Sequence, residues 1–175
     1  MINVVTYALE LFFDSAGDAA VRELWSRLED AGLSSLATRS HQRHHPHVTL
    51  AVAEQFEVDD RARQLLGEIP GSELTMPVLG TFPGELAVLF LGVTANTALL
   101  DTHSAVHAAI TTGSTGLWDH YRPGNWVPHC TLAMDLNAPA LMRAIECLHP
   151  YTAITARATQ IHMVELETGR TIPLL

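Results

Sequence analysis

The sequence predicts an α+β fold built from two similar halves, each with the order strand, helix, strand, helix, strand. Three observations predict it: apolar residues alternate with period two in several short runs, apolar stripes with helical spacing lie between those runs, and one six-residue motif occurs in each half. The 175 residues are 47% hydrophobic and 17% charged, which is enough apolar material for one compact core. We therefore expect a single domain over residues 1–175, with pseudo-symmetric lobes at roughly 1–82 and 83–175.

The first half opens with a strand and a helix. The odd-numbered positions of residues 5–13 are apolar and alternate with smaller or polar residues, which is typical of a strand. The helical stripe that follows consists of Val21, Leu24, Trp25 and Leu28. Either Asp14 or Ser15 can cap this helix, because short polar side chains accept hydrogen bonds from first-turn amides, and Gly32 ends it.

A strand, a helix and another strand complete the first half. A histidine-rich segment leads into a strand predicted at residues 46–53. The next helical stripe consists of Ala62, Leu65, Leu66 and Ile69. Asp59 and Asp60 stand before this stripe as candidate caps, and the Pro-Gly pair at 70–71 stops the helix. An apolar run then predicts one strand over residues 74–81.

The second half repeats this order. Its predicted elements are a strand at 86–93, a helix at 99–110, a strand at 126–134, a second helix, and strands at 152–167 and around Ile172. The stripe of the second helix consists of Leu141, Ala144, Ile145 and Leu148. Asn137 is its candidate cap and Pro139 suits its first turn, while residues 168–169 form the turn between the last two strands.

Composition excludes several classes of function. All ten basic residues are arginine, so chemistry that needs a lysine amine, including Schiff bases, the P-loop lysine and adenylylated-lysine ligases, is excluded. A net charge of -9 without a basic run argues against binding long duplex nucleic acid. Cys130 and Cys147 lie in apolar patterns that suit reduced thiols, and no apolar run approaches the roughly 20 residues of a membrane span. We expect a cytoplasmic protein without membrane contact.

The two copies of the repeated motif are the strongest functional signal in the chain. Residues 46–51 read Pro-His-Val-Thr-Leu-Ala and residues 128–133 read Pro-His-Cys-Thr-Leu-Ala, with five of six positions identical. Because residues two apart share one face of a strand, each copy presents one imidazole beside one hydroxyl. If the halves pack about an approximate two-fold axis, two imidazoles and two hydroxyls meet across a groove that suits a phosphate group.

Such a constellation suits the cleavage of a phosphodiester. Histidine has an ordinary pKa of about 6.5, so one imidazole can accept a proton from water while the other donates one to the leaving oxygen. Threonine hydroxyls can donate hydrogen bonds to the non-bridging phosphate oxygens. This chemistry requires neither a metal nor a covalent intermediate, and it predicts a bell-shaped pH profile.

The chain resembles the two-histidine (2H) phosphoesterase superfamily, whose mark is a pair of His-x-Thr-x motifs with x usually apolar. Both motifs are present 82 residues apart, and the lead-in at 121–123 and 126–128, together with the duplicated order of elements, extends the resemblance over most of the chain. Within the superfamily the chain is most similar to bacterial 2'-5' RNA ligase and cyclic phosphodiesterase-like proteins. The resemblance implies a bilobal fold with antiparallel sheets lining a central cleft and helices outside.

The resemblance also implies roles for the motif residues. His47 and His129 are expected to form the acid and base pair, and Thr49 and Thr131 to bind phosphate. For a 2',3'-cyclic phosphate, His129 activates water and His47 protonates the leaving ribose oxygen. The expected ligand is a nucleotide or short RNA end with a cyclic phosphate, bound by a monomer without a cofactor. Ligation or cleavage of 2'-5' linkages, and binding without catalysis, remain the alternatives.

Three aromatic residues are candidates for the rim of the groove. Tyr121 and Trp126 could stack on a nucleobase, although an aromatic residue before a strand is at least as often part of the core. Phe82 lies at the junction of the halves, which makes it a candidate for lining the groove.

Three arginines lie near the motifs in sequence. Arg39, Arg43 and Arg122 could each neutralise a phosphate through a two-pronged guanidinium contact. Solvation at the surface is the alternative for each of them.

Histidine clusters leave a metal site as a minor alternative. The first cluster consists of His41, His44, His45 and His47. His103 and His107 stand at i and i+4, as in zinc-binding helices, but no glutamate follows His103. Because the first cluster also lacks acidic or cysteine partners at ligand spacing, we expect a solvated loop and a solvated helix face, and no metal.

Overall fold

The computed structural model describes residues 5–174. The elements within this range are β1 (Tyr7–Phe13), α1 (Ser15–Asp30), β2 (His47–Ala53), α2 (Asp60–Gly67), β3 (Glu73–Met76), β4 (Val78–Phe82), β5 (Ala87–Gly92), α3 (Thr97–Thr111), β6 (His129–Leu136), α4 (Ala138–Leu148), β7 (Ile154–Glu165) and β8 (Arg170–Pro173). Short 3-10 helices cover Leu36–Thr38 and Asp119–Tyr121. The predicted α+β fold class is confirmed.

Side-chain caps begin the four α-helices found between residues 5 and 174. The capping residues are Asp14, Asp59, Asn96 and Asn137, each accepting a hydrogen bond from an amide of the first turn. Of the two candidates before α1, Asp14 is the cap, because its Oδ1 accepts from the amide of Gly17 at 3.1 Å. Pro139 stands in the first turn of α4, where its missing N–H costs no hydrogen bond.

The strands form two antiparallel sheets that exchange strands between the halves of the sequence. The five-stranded sheet has the order β2-β1-β7-β3, with β8 on β7, and the three-stranded sheet has the order β4-β5-β6. β7, from the second half, pairs with β1 of the first, and β4, from the first half, pairs with β5 of the second. Strands from the end of each half are thus built into the sheet of the other, which interlocks the halves.

The single strand predicted over residues 74–81 is wrong. The chain forms β3 and β4 instead, and the two belong to different sheets: β3 pairs with β7, whereas β4 pairs with β5. Pro77 stands between them. Because proline lacks an N–H and cannot continue a ladder, it is a suitable point for the chain to leave one sheet and enter the other.

The topology brings the two motif strands together. β2 is an outer strand of the five-stranded sheet and β6 is an outer strand of the three-stranded sheet. These two edges adjoin, so the histidine and the threonine of each motif lie at one cleft between the sheets. The buried faces of both sheets and of the helices around them contribute to one continuous hydrophobic core. Within residues 5–174, no helix is both long and apolar enough to cross a membrane.

Candidate active site

His47 and His129 occupy equivalent positions, each as the first residue of its strand and directly after a proline. Nδ1 of His47 donates to the carbonyl oxygen of His45 at 2.6 Å, and Nδ1 of His129 donates to that of Val127 at 2.7 Å. A carbonyl only accepts hydrogen bonds, so each contact keeps the proton on Nδ1. Nε2 of each ring is therefore the atom left to give or take a proton.

Both imidazoles and both motif threonines line one cleft of about 600 Å³. A volume of this size suits a small ligand such as a nucleotide. The lining of the cleft also includes Glu10, Arg39, His44, Phe82, Trp118, Tyr121 and Trp126. The structure thus brings together the four residues that the sequence singles out on separate strands.

The backbone of both motif threonines is held by an indole from the opposite half. Nε1 of Trp126 donates to the carbonyl of Thr49 at 2.9 Å, and Nε1 of Trp25 donates to the carbonyl of Thr131 at 3.3 Å. Outer strands carry carbonyl groups that no neighbouring strand can pair. The two indoles satisfy those carbonyls and tie the motif strands to each other's half of the molecule.

Glu10 is a site residue that the sequence interpretation missed. It lies on β1 directly opposite Thr49 of β2, is only 5% exposed, and places Oε1 at 3.4 Å from Nε2 of His47. Burial raises the pKa of the Glu10 carboxyl, while the charge of His47 acts in the opposite direction. The available signal was the acidic residue itself, because a glutamate within a buried strand is rare unless it is paired.

The two histidines have different surroundings. Burial lowers the pKa of His129, its contact with the Val127 carbonyl opposes that effect, and the charge of His47 lowers it further. No carboxylate forms an ion pair with His129 among the described residues, whereas Glu10 faces His47. His129 is therefore the imidazole that more readily stays neutral, and His47 is the one with a counter-ion in place.

Aromatic rings form a wall beside His129. Phe82 stacks on Phe90 with ring centroids 4.3 Å apart, and its edge meets the His129 ring at 4.8 Å. A side chain at Gly80 would place its Cβ 2.7 Å from the Phe90 ring, so the glycine leaves the room that this wall needs. Phe82 thus lines the cleft, as the sequence suggested.

Tyr121 and Trp126 also lie at the cleft, in different ways. Trp126 is only 7% exposed and stacks on His103 with ring centroids 3.9 Å apart and an interplanar angle of 9°. This packing favours a role of Trp126 in the core over a role in stacking on a nucleobase. Tyr121 is half-buried, and burial raises the pKa of its hydroxyl, as does the charge of Glu10. Its hydroxyl therefore stays protonated and can donate a hydrogen bond.

The arginines near the motifs separate into different places. Arg122 is exposed and pairs with Asp119 at 3.0 Å, and Arg43 opens onto a neighbouring cavity, so neither lines the cleft. Neither therefore contacts a ligand that is confined to the cleft, and Arg43 lines the adjoining cavity instead. Arg39 is the one that lines the cleft, where it forms an ion pair with Asp135.

The histidine clusters do not form a metal centre. Among residues 5–174, no group of three or more His, Cys, Asp or Glu side chains converges to hold an ion. The prediction that His103 and His107 lie on a solvated helix face is wrong, since both side chains are buried. Nε2 of His103 lies 3.1 Å from the carbonyl of Leu50, so this histidine joins α3 to the first motif strand.

Comparison with known proteins places the chain in a family. The model of the 2'-5' RNA ligase superfamily matches residues 12–170. No curated protein sequence matches the chain significantly. Among solved structures, that of Kluyveromyces marxianus Usb1 is 11% identical, with 99% of both chains covered and a TM-score of 0.49. The structure of the same protein with uridine monophosphate is 12% identical, with 98% of both chains covered and a TM-score of 0.45.

The family match spans both histidine motifs and nearly all of the described fold. It confirms the resemblance to the two-histidine phosphoesterases that the two motifs indicate. The chain belongs to the 2'-5' RNA ligase superfamily of two-histidine phosphoesterases.

Proposed function

We propose that the protein is a metal-independent phosphodiesterase that opens the 2',3'-cyclic phosphate of a nucleotide or short RNA end. One observation carries this proposal: His47 and His129 line the same cleft, and backbone carbonyls hold both Nδ1 protons so that both Nε2 atoms are available. Two imidazoles poised in this way can supply both proton transfers that hydrolysis of the ester needs.

In the proposed reaction, Nε2 of His129 takes a proton from a water molecule as the water oxygen bonds to phosphorus. The bond between phosphorus and the ribose 3'-oxygen breaks, and that oxygen receives the proton of His47 Nε2. The product is a 2'-phosphate, and a proton passed through solvent from His129 to His47 restores the enzyme. The hydroxyls of Thr49 and Thr131 stabilise the negative charge that develops on the non-bridging oxygens.

The surroundings of the two rings support this division of roles. A base must start neutral, and burial together with the neighbouring charge of His47 lowers the pKa of His129. An acid must start protonated, and Glu10 gives a protonated His47 a counter-ion at 3.4 Å. Glu10 acts on the reaction through His47, as a positioning residue.

The first test is turnover of the four nucleoside 2',3'-cyclic phosphates in the presence of EDTA. We expect a single product, the nucleoside 2'-phosphate, identified by its phosphorus NMR signal. On the acidic side the rate should decline only below about pH 6.5, the ordinary pKa of histidine. The reason is that the pKa of His129 is lowered, so this base becomes protonated only at a more acidic pH. Tight binding without product over several hours would instead support a binding protein, and activity that EDTA abolishes would support a metal enzyme.

Glu10→Gln is expected to lower kcat about tenfold, equivalent to about 1.4 kcal/mol, and to stabilise the fold at neutral pH. The amide of glutamine can donate to an unprotonated Nε2 of His47, which favours the form that cannot act as the acid. Burial raises the folded-state pKa of Glu10, so the wild-type protein loses stability as pH rises above about 4.5 toward that pKa. The neutral variant escapes this loss and should melt roughly 3 °C higher at pH 7.

The matched control for this variant is Glu73→Gln, which neutralises an exposed acid on β3. Melting temperature and kcat of both variants are measured between pH 4 and pH 8. A Glu10→Gln protein with wild-type kcat would remove Glu10 from the proposed mechanism, and one that melts lower than wild type at pH 7 would contradict the stability prediction.

A further inference from the structure

A second cavity adjoins the proposed active site. It has a volume of about 510 Å³, and its polar lining includes Arg22, Gln42, Arg43, His44, His45 and Arg170. Three of the ten arginines of the chain therefore meet at one place on a protein with a net charge of -9. The sequence interpretation did not find this cluster, because Arg22 and Arg170 are 148 positions apart and only the fold brings them to the histidine-rich loop.

Acidic neighbours neutralise two of these guanidinium groups. Nε of Arg22 lies 2.6 Å from Oδ2 of Asp18, and Nε of Arg170 lies 3.1 Å from Oε2 of Glu165. Arg43 is exposed and forms no ion pair with any residue between 5 and 174. The cavity therefore keeps one uncompensated arginine charge, which attracts an anion. Burial lowers the pKa of His44 and His45, so these two imidazoles add ring N–H groups to the cavity and no charge at neutral pH.

One loop connects this cavity to the cleft. The segment at 39–45 precedes the first motif strand, and Arg39, Ser40 and His44 of this segment line the cleft. Arg43 and His44 line the second cavity. His44 thus belongs to both linings, so a ligand that fills the cleft can continue over His44 into the basic cavity.

We propose that the basic cavity binds a second phosphate group of the substrate and thereby favours short RNA ends over mononucleotides. This inference rests on the proposed function and deepens it. Guanidinium groups form two-pronged, charge-assisted hydrogen bonds with phosphate oxygens, which is the chemistry that this lining offers. The second phosphate is either an internucleotide diester or a 5'-terminal monoester, since both present the oxygens that Arg43 would bind.

The charge distribution limits the length of the nucleic acid. The chain contains no lysine and has a net charge of -9, so the contacts needed to hold a long duplex along its backbone are missing. We expect the cavity beside the cleft to bind instead one phosphate group, close to the end of the RNA that carries the cyclic phosphate.

The test compares kcat/KM for three substrates. These are uridine 2',3'-cyclic phosphate, the same nucleotide with a 5'-phosphate, and a uridine trinucleotide that ends in a 2',3'-cyclic phosphate. In the wild-type protein we expect the trinucleotide to be preferred over the cyclic mononucleotide. Arg43→Gln should lower this preference about tenfold, the effect of losing one charge-assisted hydrogen bond. The matched control, Arg61→Gln, removes an exposed charge on α2 and should keep the wild-type preference.

The 5'-phosphorylated nucleotide distinguishes the two sources of phosphate. If its kcat/KM exceeds that of the cyclic mononucleotide as much as the trinucleotide's does, the cavity accepts a terminal monoester. If only the trinucleotide has a raised kcat/KM, the cavity binds the internucleotide diester. Equal kcat/KM for all three substrates, or an Arg43→Gln protein with the wild-type preference, would overturn the inference.

A binding experiment separates this inference from the proposed function. If the wild-type protein opens no cyclic phosphate, the proposed function fails, and calorimetric titration with a uridine trinucleotide that carries a 3'-phosphate still tests the cavity. Binding about tenfold weaker to Arg43→Gln than to wild type and Arg61→Gln would support the anion site. Equal binding to all three proteins would refute it.

Discussion

His129→Ala is expected to lower kcat for a 2',3'-cyclic nucleotide by about 10²–10⁴-fold, the usual contribution of a general acid or base. The variant loses the motif imidazole that burial and the neighbouring charge of His47 both favour in the neutral form. His47→Ala should cost a similar factor. The double variant should be little worse than either single one, because the two rings act as a unit.

The control for this prediction is His149→Ala, which removes an exposed histidine at the end of α4. His129→Gln provides a second variant in case alanine disturbs the ring packing around Phe82 and Phe90. Single-turnover rates and melting temperatures are compared for all of them. A His129 variant that stays folded and keeps more than a tenth of the wild-type rate would exclude His129 as the base.

Trp126→Ala is expected to lower the free energy of unfolding by about 3–5 kcal/mol, the cost of truncating a buried tryptophan. The indole is 7% exposed, stacks on His103 and donates to the carbonyl of Thr49. Truncation would leave a cavity and also leave that carbonyl unpaired. The fall in melting temperature should be roughly 10 °C, measured by circular dichroism together with urea unfolding.

Two further variants separate this structural role from stacking on a ligand. Trp126→Phe keeps a ring but loses the N–H, so it should cost about 1–3 kcal/mol. Trp118 also lines the cleft and is 45% exposed, so Trp118→Ala should change stability much less. A Trp126→Ala protein with wild-type stability and a raised KM would show instead that the indole serves the ligand.

Several parts of the fold were predictable because their signals are local. The caps Asp14, Asp59 and Asn137 and the apolar stripes behind them predict where helices begin and which faces they bury. The alternation in β1 and the composition of β5 likewise indicate strands. Hydrogen bonds within a helix and side-chain alternation along a strand involve neighbours in sequence, so their pattern is visible without the fold.

The exchange of strands between the two halves was not predictable from these patterns. The apolar run through Pro77 resembles one strand, and nothing local says that β3 and β4 pair with partners in different sheets. His103 and His107 were similarly misread as solvated, because their burial depends on α3 packing against other elements. Partner choice and burial are decided by segments far away in sequence.

By itself, the sequence determined the duplicated motif, the pairing of an imidazole with a hydroxyl on one face of each strand, and the lysine-free, acidic composition. Only the tertiary structure decided that Glu10 faces His47, that Arg39 and not Arg122 lines the cleft, and that Arg22, Arg43 and Arg170 share a cavity. The reason is physical. The chemistry of a side chain is fixed by its own atoms, whereas its charge state, orientation and neighbours depend on which distant segments fold against it.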